Sequence, residues 1–277
     1  MTFTHAAGAA GLAVTDYAQL IVQPLIRESA AFQVSTLLRT TAATYSLPTL
    51  DADPAVAWTA PGADITPTDP DTSPTVVSLA KCAVLTKIPR EVVLGSQPDA
   101  ATVVGQAMTR SLRSAVDAAW LDATPNANAP TGGIADAVTL DTTEVSTNLD
   151  SVAEAAATLH DNGFPAAYIV TSATQWQEWQ VIKAGTALNG YVLNAQPTEA
   201  GARSVFGLPV VLAAATWPAG PKAYVVGQGA SFVVLGEDVD VQVDQSRYFD
   251  SDSLAVRGTI RLGFATDARG VIGISAT

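Results

Sequence analysis

Apolar residues recur at three and four along "SQPDAATVVGQAMTRSLRSAVDAAWLDA", residues 96–123, where Val104, Met108, Leu112, Ala115 and Ala119 share one stripe. That spacing predicts a helix, with Pro98 suited to its first turn and Asp99 to its positive N-terminal end. At 1.5 Å per residue it would run roughly 35 Å, the longest helix of the chain. A second amphipathic helix is predicted over 146–161, with Leu149, Val152, Ala156 and Leu159 inward and Gly163 as its stop. A third opens in "SATQWQEWQVIKAG", capped by its leading serine. Residues 15–38 place Ala18, Ile21, Val22, Leu25 and Ile26 at helical spacing behind Asp16 or Thr15, and Pro24 is expected to split or kink that helix.

Strand patterns separate these helices. "AAYIVTS" (166–172), "GLPVVLAA" and "AYVVG" (223–227) read as buried strands, so the middle of the chain forms an α/β layer. In "EDVDVQVDQ", Asp238, Asp240, Gln242 and Asp244 alternate with Val239, Val241 and Val243, a half-buried strand with an acidic outer face. "LAVRGTIRLGF" alternates too: Leu254, Val256, Ile260 and Leu262 point one way, Arg257 and Arg261 the other. With the terminal "GVIGIS", these strands are expected to pack on the long helix, making a discontinuous domain around an inserted one.

Earlier in the chain, "TAATYSLPTL" (41–50) and "AVAW" (55–58) are strand-like, and "TVVSLAKCAVLTKI" (75–88) is a long strand. Residues 55–88 therefore read as one hairpin with its tip at 60–74. Its arms would reach roughly 45 Å at strand rise. The segment "WTAPGADITPTDP" (58–70) holds one Trp, three Pro and two Asp, and can neither form a helix nor bury itself. A two-stranded ribbon is marginal in water on its own, so this one has the character of an arm made to lie on something else.

Composition narrows the function classes. At 48% hydrophobic residues the chain can fill a core, and no apolar run approaches the roughly 18–20 residues of a membrane span. The formal charge of −12 argues against a grip on nucleic acid, whose phosphates are bound by Lys and Arg. The N-terminus lacks the basic region of a secretory signal, there is one cysteine, and no asparagine stands in a glycosylation sequon. All three fit synthesis in a reducing cytoplasm.

No catalytic constellation emerges. His5 and His160 are the only histidines, and His160 beside Asp161 suits a solvated helix C-terminus better than a base. Nucleophile-elbow, phosphate-loop, zinc-protease and Cys-x-x-Cys motifs are absent from the sequence. "GQGASF" (227–232) lacks the third glycine of a dinucleotide loop and reads as a turn. Alternation alone accounts for the acidic strand 237–244 without a metal, and the pair Trp176 and Trp179 suits core packing or a subunit contact. No cofactor is expected.

The order of these parts, ending in "VRGTIRLGFATDARGVIGI", resembles the tailed-bacteriophage major capsid proteins of the Hong Kong 97-type fold. Local phrases agree. "AWTAPGADITPTDP" is similar to that family's extended loop, "IPREVVLGS" to the entry of its spine helix, and "PTGGI" to the loop after it. "TSATQWQEW" and "GLPVVLAA" resemble segments of its axial domain, and "RLGFA" its final peripheral strand.

The resemblance implies an α+β chain divided into an N-terminal arm (1–51), an extended loop (52–88), a peripheral domain with the spine helix (89–140 and 231–277) and an inserted axial domain (141–230). It implies a non-enzymatic shell protein forming pentamers and hexamers of an icosahedral virion capsid around DNA, made and assembled in the bacterial cytoplasm. Expected subunit-contact residues are Trp58 at the loop base, Asp64, Asp69 and Asp71 at its tip, and Arg110, Arg113, Arg257 and Arg261 as partners for carboxylates. The founding pattern crosslinks subunits through a loop lysine, but residues 51–80 hold none, so a non-covalent shell is expected. The arm begins within 15 residues of Met1, so no maturation cleavage and a separate scaffolding protein or none are expected. Portal and cement proteins are further partners the resemblance admits; a membrane is not. The competing readings are an encapsulin-type nanocompartment shell, a cytoplasmic α/β enzyme, and an all-β tail or decoration protein.

Overall fold

The computed structural model describes residues 28–52, 56, 58–62, 64, 71–89, 91, 100–121, 126–134, 137–142, 148–185, 188–193, 203–213, 217 and 220–276. The chain runs through helix α1 (Ala30–Val34), strands β1 (Thr36–Arg39), β2 (Thr44–Ala52), β3 (Asp71–Ser78) and β4 (Ala80–Pro89), and the long helix α2 (Ala100–Leu121). Next come β5 (Val138–Thr142), α3 (Asp150–Asp161), β6 (Ala166–Thr171), α4 (Ala173–Gln180), β7 (Lys183–Gly185), β8 (Leu188–Tyr191), β9 (Ser204–Val205), β10 (Leu208–Leu212) and β11 (Ala223–Gly227). Two long strands, β12 (Ser231–Tyr248) and β13 (Ser253–Thr266), and the terminal β14 (Val271–Ala276) complete it.

One face of α2 is apolar, and that face decides the architecture. Met108, Leu112, Val116 and Trp120 are buried at a strict spacing of four. They pack on a four-stranded sheet of order β1-β12-β13-β4, against Val233, Leu235, Val241, Val256, Ile260, Leu262 and Phe264. Ala115, expected inward, is exposed. A step of four residues advances the stripe past a full turn, so by the third turn Val116 has taken the inward position. The alternating strands behave as their pattern predicts: Val239 and Val241 are buried, while Asp240, Gln242 and Asp244 are exposed.

The second sheet has the order β5-β14-β11-β6-β10-β9. Leu149, Val152, Ala155 and Leu159 of α3, with Trp179 of α4, bury one face of it over Ile169, Ala223, Val225, Ile272 and Ile274. Gly163, at φ +85°, ends α3 in the left-handed conformation that favours glycine, and the Ser172 side chain caps α4 by accepting from Gln175 N at 3.1 Å. The other face contributes Val170, Tyr224, Val226 and Val271 to the core of α2. The terminal strand was expected beside β12 and β13. It pairs instead with β11 and β5, because Ile272 and Ile274 complete the apolar face beneath α3.

Two further expectations change. The predicted helix over 15–38 lies outside the described residues up to 27. Beyond it Glu28 and α1 are helical, and Thr36–Arg39 joins β12 as a parallel strand, so sheet pairing overrides the helical periodicity there.

The hairpin also pairs differently. β3 runs antiparallel to β2, from Thr44↔Ser78 to Ala52↔Asp71, whereas β4 pairs along β13. The apparent strand 75–88 changes sheets at Leu79. Val77 lies on the outer face of the four-stranded sheet with Val234 and Ala265, while Cys82 and Val84 pack toward α2. Gly263 permits this crossing: a Cβ there would lie 2.6 Å from Val77 Cγ1 and 2.9 Å from Ser78 O. Replacing Gly263 with alanine is expected to cost about 1–3 kcal/mol through overpacking. The check is a lower Tm, with faster proteolysis at the base of the β2–β3 ribbon.

Candidate subunit-contact surfaces

The β2–β3 ribbon leaves the four-stranded sheet with almost no core of its own. Val77 at its base is buried, but Val76 is 63% exposed. Beyond the ribbon, Val56 is 94% and Trp58 104% exposed, so the indole is not packed against any described residue. Asp64 is exposed and Gly62 holds φ +84° at the Pro61–Gly62 turn. The backbone of Asp71 opens β3 opposite Ala52, and Asp69 lies outside the described residues.

The predicted arginines divide. Arg110 is exposed on the flank of α2, beside Ala107, Ser111 and Ser114. Arg257 is exposed on the outer face of β13 and donates to Gln242 Oε1, while Gln242 Nε2 donates to Asp240 Oδ2 at 2.8 Å. Arg261 lies in register between Glu237 of β12 and Lys81 of β4. Arg113, by contrast, is engaged within the chain: its guanidinium is 3.0 Å from Glu28 Oε2 and 3.9 Å from Asp117 Oδ2.

Asp117 is the polar residue that sequence reasoning missed. On a helix four residues after an arginine it looks like half of a surface ion pair. It is wholly buried, and its Oδ1 accepts from Ser29 Oγ at 2.6 Å and from Ala31 N at 3.2 Å, fixing α1 against α2. Burial pushes its carboxyl above the usual range, against the hydrogen bonds from Ser29 and the backbone and the charge of Arg113. A second pin lies one turn on, where Trp120 Nε1 donates to Ser231 Oγ at 3.3 Å and Ser231 shares a 2.7 Å hydrogen bond with Ser35.

Two exposed aromatics on turns also escaped prediction. Phe249, 83% exposed, stands at the tip between β12 and β13, where Asp252 takes φ +40°. Phe206, 62% exposed, holds φ +51° beside Gly207 at φ +80° at the tip between β9 and β10. The phrase "VFGL" carries a faint signal, since an aromatic before glycine between short apolar runs marks a tight hairpin. His160 is exposed in the last turn of α3. Among the described residues no three His, Cys, Asp or Glu side chains gather as a metal site.

A projecting ribbon, a long helix on a sheet of long strands and a second α/β layer together make the arrangement that the comparisons identify. The model of the phage capsid family matches residues 9–268. The chain belongs to the phage capsid family. No curated protein matches it by sequence. Among solved structures it is similar to one titled Microbacterium phage Oxtober96, at 15% identity, TM-score 0.72, and 90% and 91% of the two chains covered. A structure titled Mycobacterium phage Bobi matches at 14% identity, TM-score 0.73, over 90% and 91%. The capsid of a native GTA particle matches at 14% identity, TM-score 0.71, over 88% and 89%. The fold is the Hong Kong 97-type capsid fold, and the chain is a major capsid protein, a structural component of a virion shell. The nanocompartment reading is not favoured.

Two variants probe the contacts just described. Asp117→Ala leaves Ser29 Oγ and Ala31 N without their acceptor and is expected to cost about 2–3 kcal/mol, measured by denaturant unfolding of the unassembled subunit. Because burial raises the folded carboxyl's pKa, the stability tied to its protonated form is fully present below the ordinary value near pH 4. It declines as pH rises through the raised value. Asp117→Asn should flatten that slope. Phe206→Asn, suited to the left-handed position, is expected to stabilise the subunit by about 1 kcal/mol, read as a higher Tm.

Proposed function

We propose that this protein assembles, without covalent crosslinks, into pentamers and hexamers of an icosahedral shell enclosing double-stranded DNA. The ribbon and its loop would lie across a neighbouring subunit. The observation that carries this is the ribbon itself, a projection rooted on its own sheet at Val77 whose connecting loop carries a fully exposed Trp58. The exposed side chains of Asp64, Arg110 and Arg257 and the half-buried Arg261 supply the other contacts, with Asp69 and Asp71 from the loop. Arg113 serves its own fold first, through Glu28 and Asp117.

In this reading the arm ends before β2, at residue 43, and the projecting loop shifts from 52–88 to the ribbon 44–78 with its tip. The peripheral unit is 89–140 with β4, β12 and β13, and the axial unit is 141–230 with β14, which pairs into its sheet. Non-covalent assembly is supported by the lack of lysine between residues 51 and 80. An acidic wall suits packaged DNA that must not adhere to it, consistent with the net charge of −12. Synthesis and assembly in the host cytoplasm go with this reading, supported by the single cysteine and the lack of glycosylation sequons.

Negative-stain electron microscopy of the purified protein, alone and with a co-expressed scaffold, is the direct test. Closed particles, or pentamers and hexamers, are expected. A monodisperse monomer under both conditions overturns the proposal. Particles boiled in detergent should run as a single monomer band, and a ladder of covalent multimers would refute the non-covalent reading.

A further inference from the structure

We propose that a hollow beneath the open edge of β4 is the seat for Trp58 of a second copy of this chain. This rests on the reading that the loop lies across a neighbour, and it specifies where the loop binds. A cavity of about 430 Å³ opens between β4, the flank of α2 and the loop 126–130. Cys82, Ala115, Val116, Ala119, Pro130 and Leu262 line it. Its volume falls within the range of sites that enclose a ring-bearing group. The alanines on α2 are what leave the space: the exposed position of Ala115, unexpected from periodicity, opens the helix flank to the cavity.

Charge selects the occupant. Among the described residues Lys81, exposed on β4, is the only charged one lining the cavity, and it makes no ion pair with any of them. Trp58 belongs to a stretch, residues 51–80, with Asp51, Asp53, Asp64, Asp69 and Asp71 and neither lysine nor arginine. An indole leading a uniformly acidic loop therefore fits an apolar hollow with a lysine at its side. The other exposed tip aromatics fit less well, since Phe249 stands between Arg247 and Asp250 and so presents mixed charge. Asn128 also lines the hollow and offers a carbonyl to the indole N–H, the polar handle a buried Trp requires.

β4 adds backbone to the fit. It is an edge strand among the described residues, hydrogen-bonded to β13 on one side, and its other edge can accept a neighbouring extended segment.

Cys82 makes the seat testable, because it is the only cysteine in the chain. In assembled particles of Trp58→Cys, a short bis-maleimide should join the introduced thiol to Cys82 of a neighbour and give multimers on a denaturing gel. Adding Cys82→Ser to that variant should abolish them. In wild-type particles the seated indole should slow maleimide labelling of Cys82 roughly tenfold or more relative to dissociated subunits, as expected for a water-excluded anchor.

Equal labelling rates in wild-type particles and free subunits would overturn the seat while leaving the shell reading intact. So would multimers that persist with Cys82→Ser, because the introduced thiols would then be meeting each other. If the wild type forms no particles or capsomers, the reading beneath it fails first. The wild-type labelling comparison decides the matter even if Trp58→Cys does not assemble.

Discussion

The molecule depends on the burial of one helix stripe. Met108, Leu112, Val116 and Trp120 each remove a large apolar side chain from water, worth roughly 1.5–3 kcal/mol apiece for a fully buried aliphatic or aromatic group. That stripe draws the four-stranded sheet onto α2, and Trp120 extends the same core toward the second sheet through Tyr224, Val226 and Val271. Within this apolar contact, Asp117 supplies direction. Hydrophobic burial alone would let α1 slide along α2; two hydrogen bonds to one buried carboxylate oxygen fix its register. Burying a carboxyl is costly, and here the hydrogen bonds it accepts from Ser29 and Ala31 offset part of that cost.

The sequence was legible wherever a single element carries its own signal. Caps and stops at Ser172 and Gly163, the stripe of α2 and the alternation of β12 and β13 are local, so periodicity finds them. Strand partnership is not local. Nothing in "TVVSLAKCAVLTKI" announces that Leu79 divides it between two sheets, because the cause lies nearly two hundred residues away, in the missing side chain of Gly263. The terminal strand misled for the same reason: "GVIGIS" would fit either sheet, and the apolar surface under α3 decides.

Among the residues proposed for contacts, the exposure of Trp58 was legible, because an indole set amid proline and aspartate has little apolar surface nearby to cover it. Asp117 was not, since a charge on a helix face is ordinarily solvated and only the incoming α1 buries it. Arg113 followed its partner into the fold. Phe206 and Phe249 were missed because apolar residues in turns are usually read as strand ends. The same division explains how the fold persists at 14–15% identity to its solved relatives. Patterns of burial and strand length survive substitutions that erase every individual phrase.

The thin footing of the β2–β3 ribbon bears on the kinetics of shell growth. On the proposed seating, a projection with almost no core of its own would give up conformational freedom each time it docks, and much of the energy of contact would be consumed in ordering it. Each docking would then be quick to reverse. A subunit added in the wrong orientation could leave before its neighbours closed over it, whereas one correctly placed would be held by several such contacts at once. Weakness in the single contact would become fidelity in the lattice.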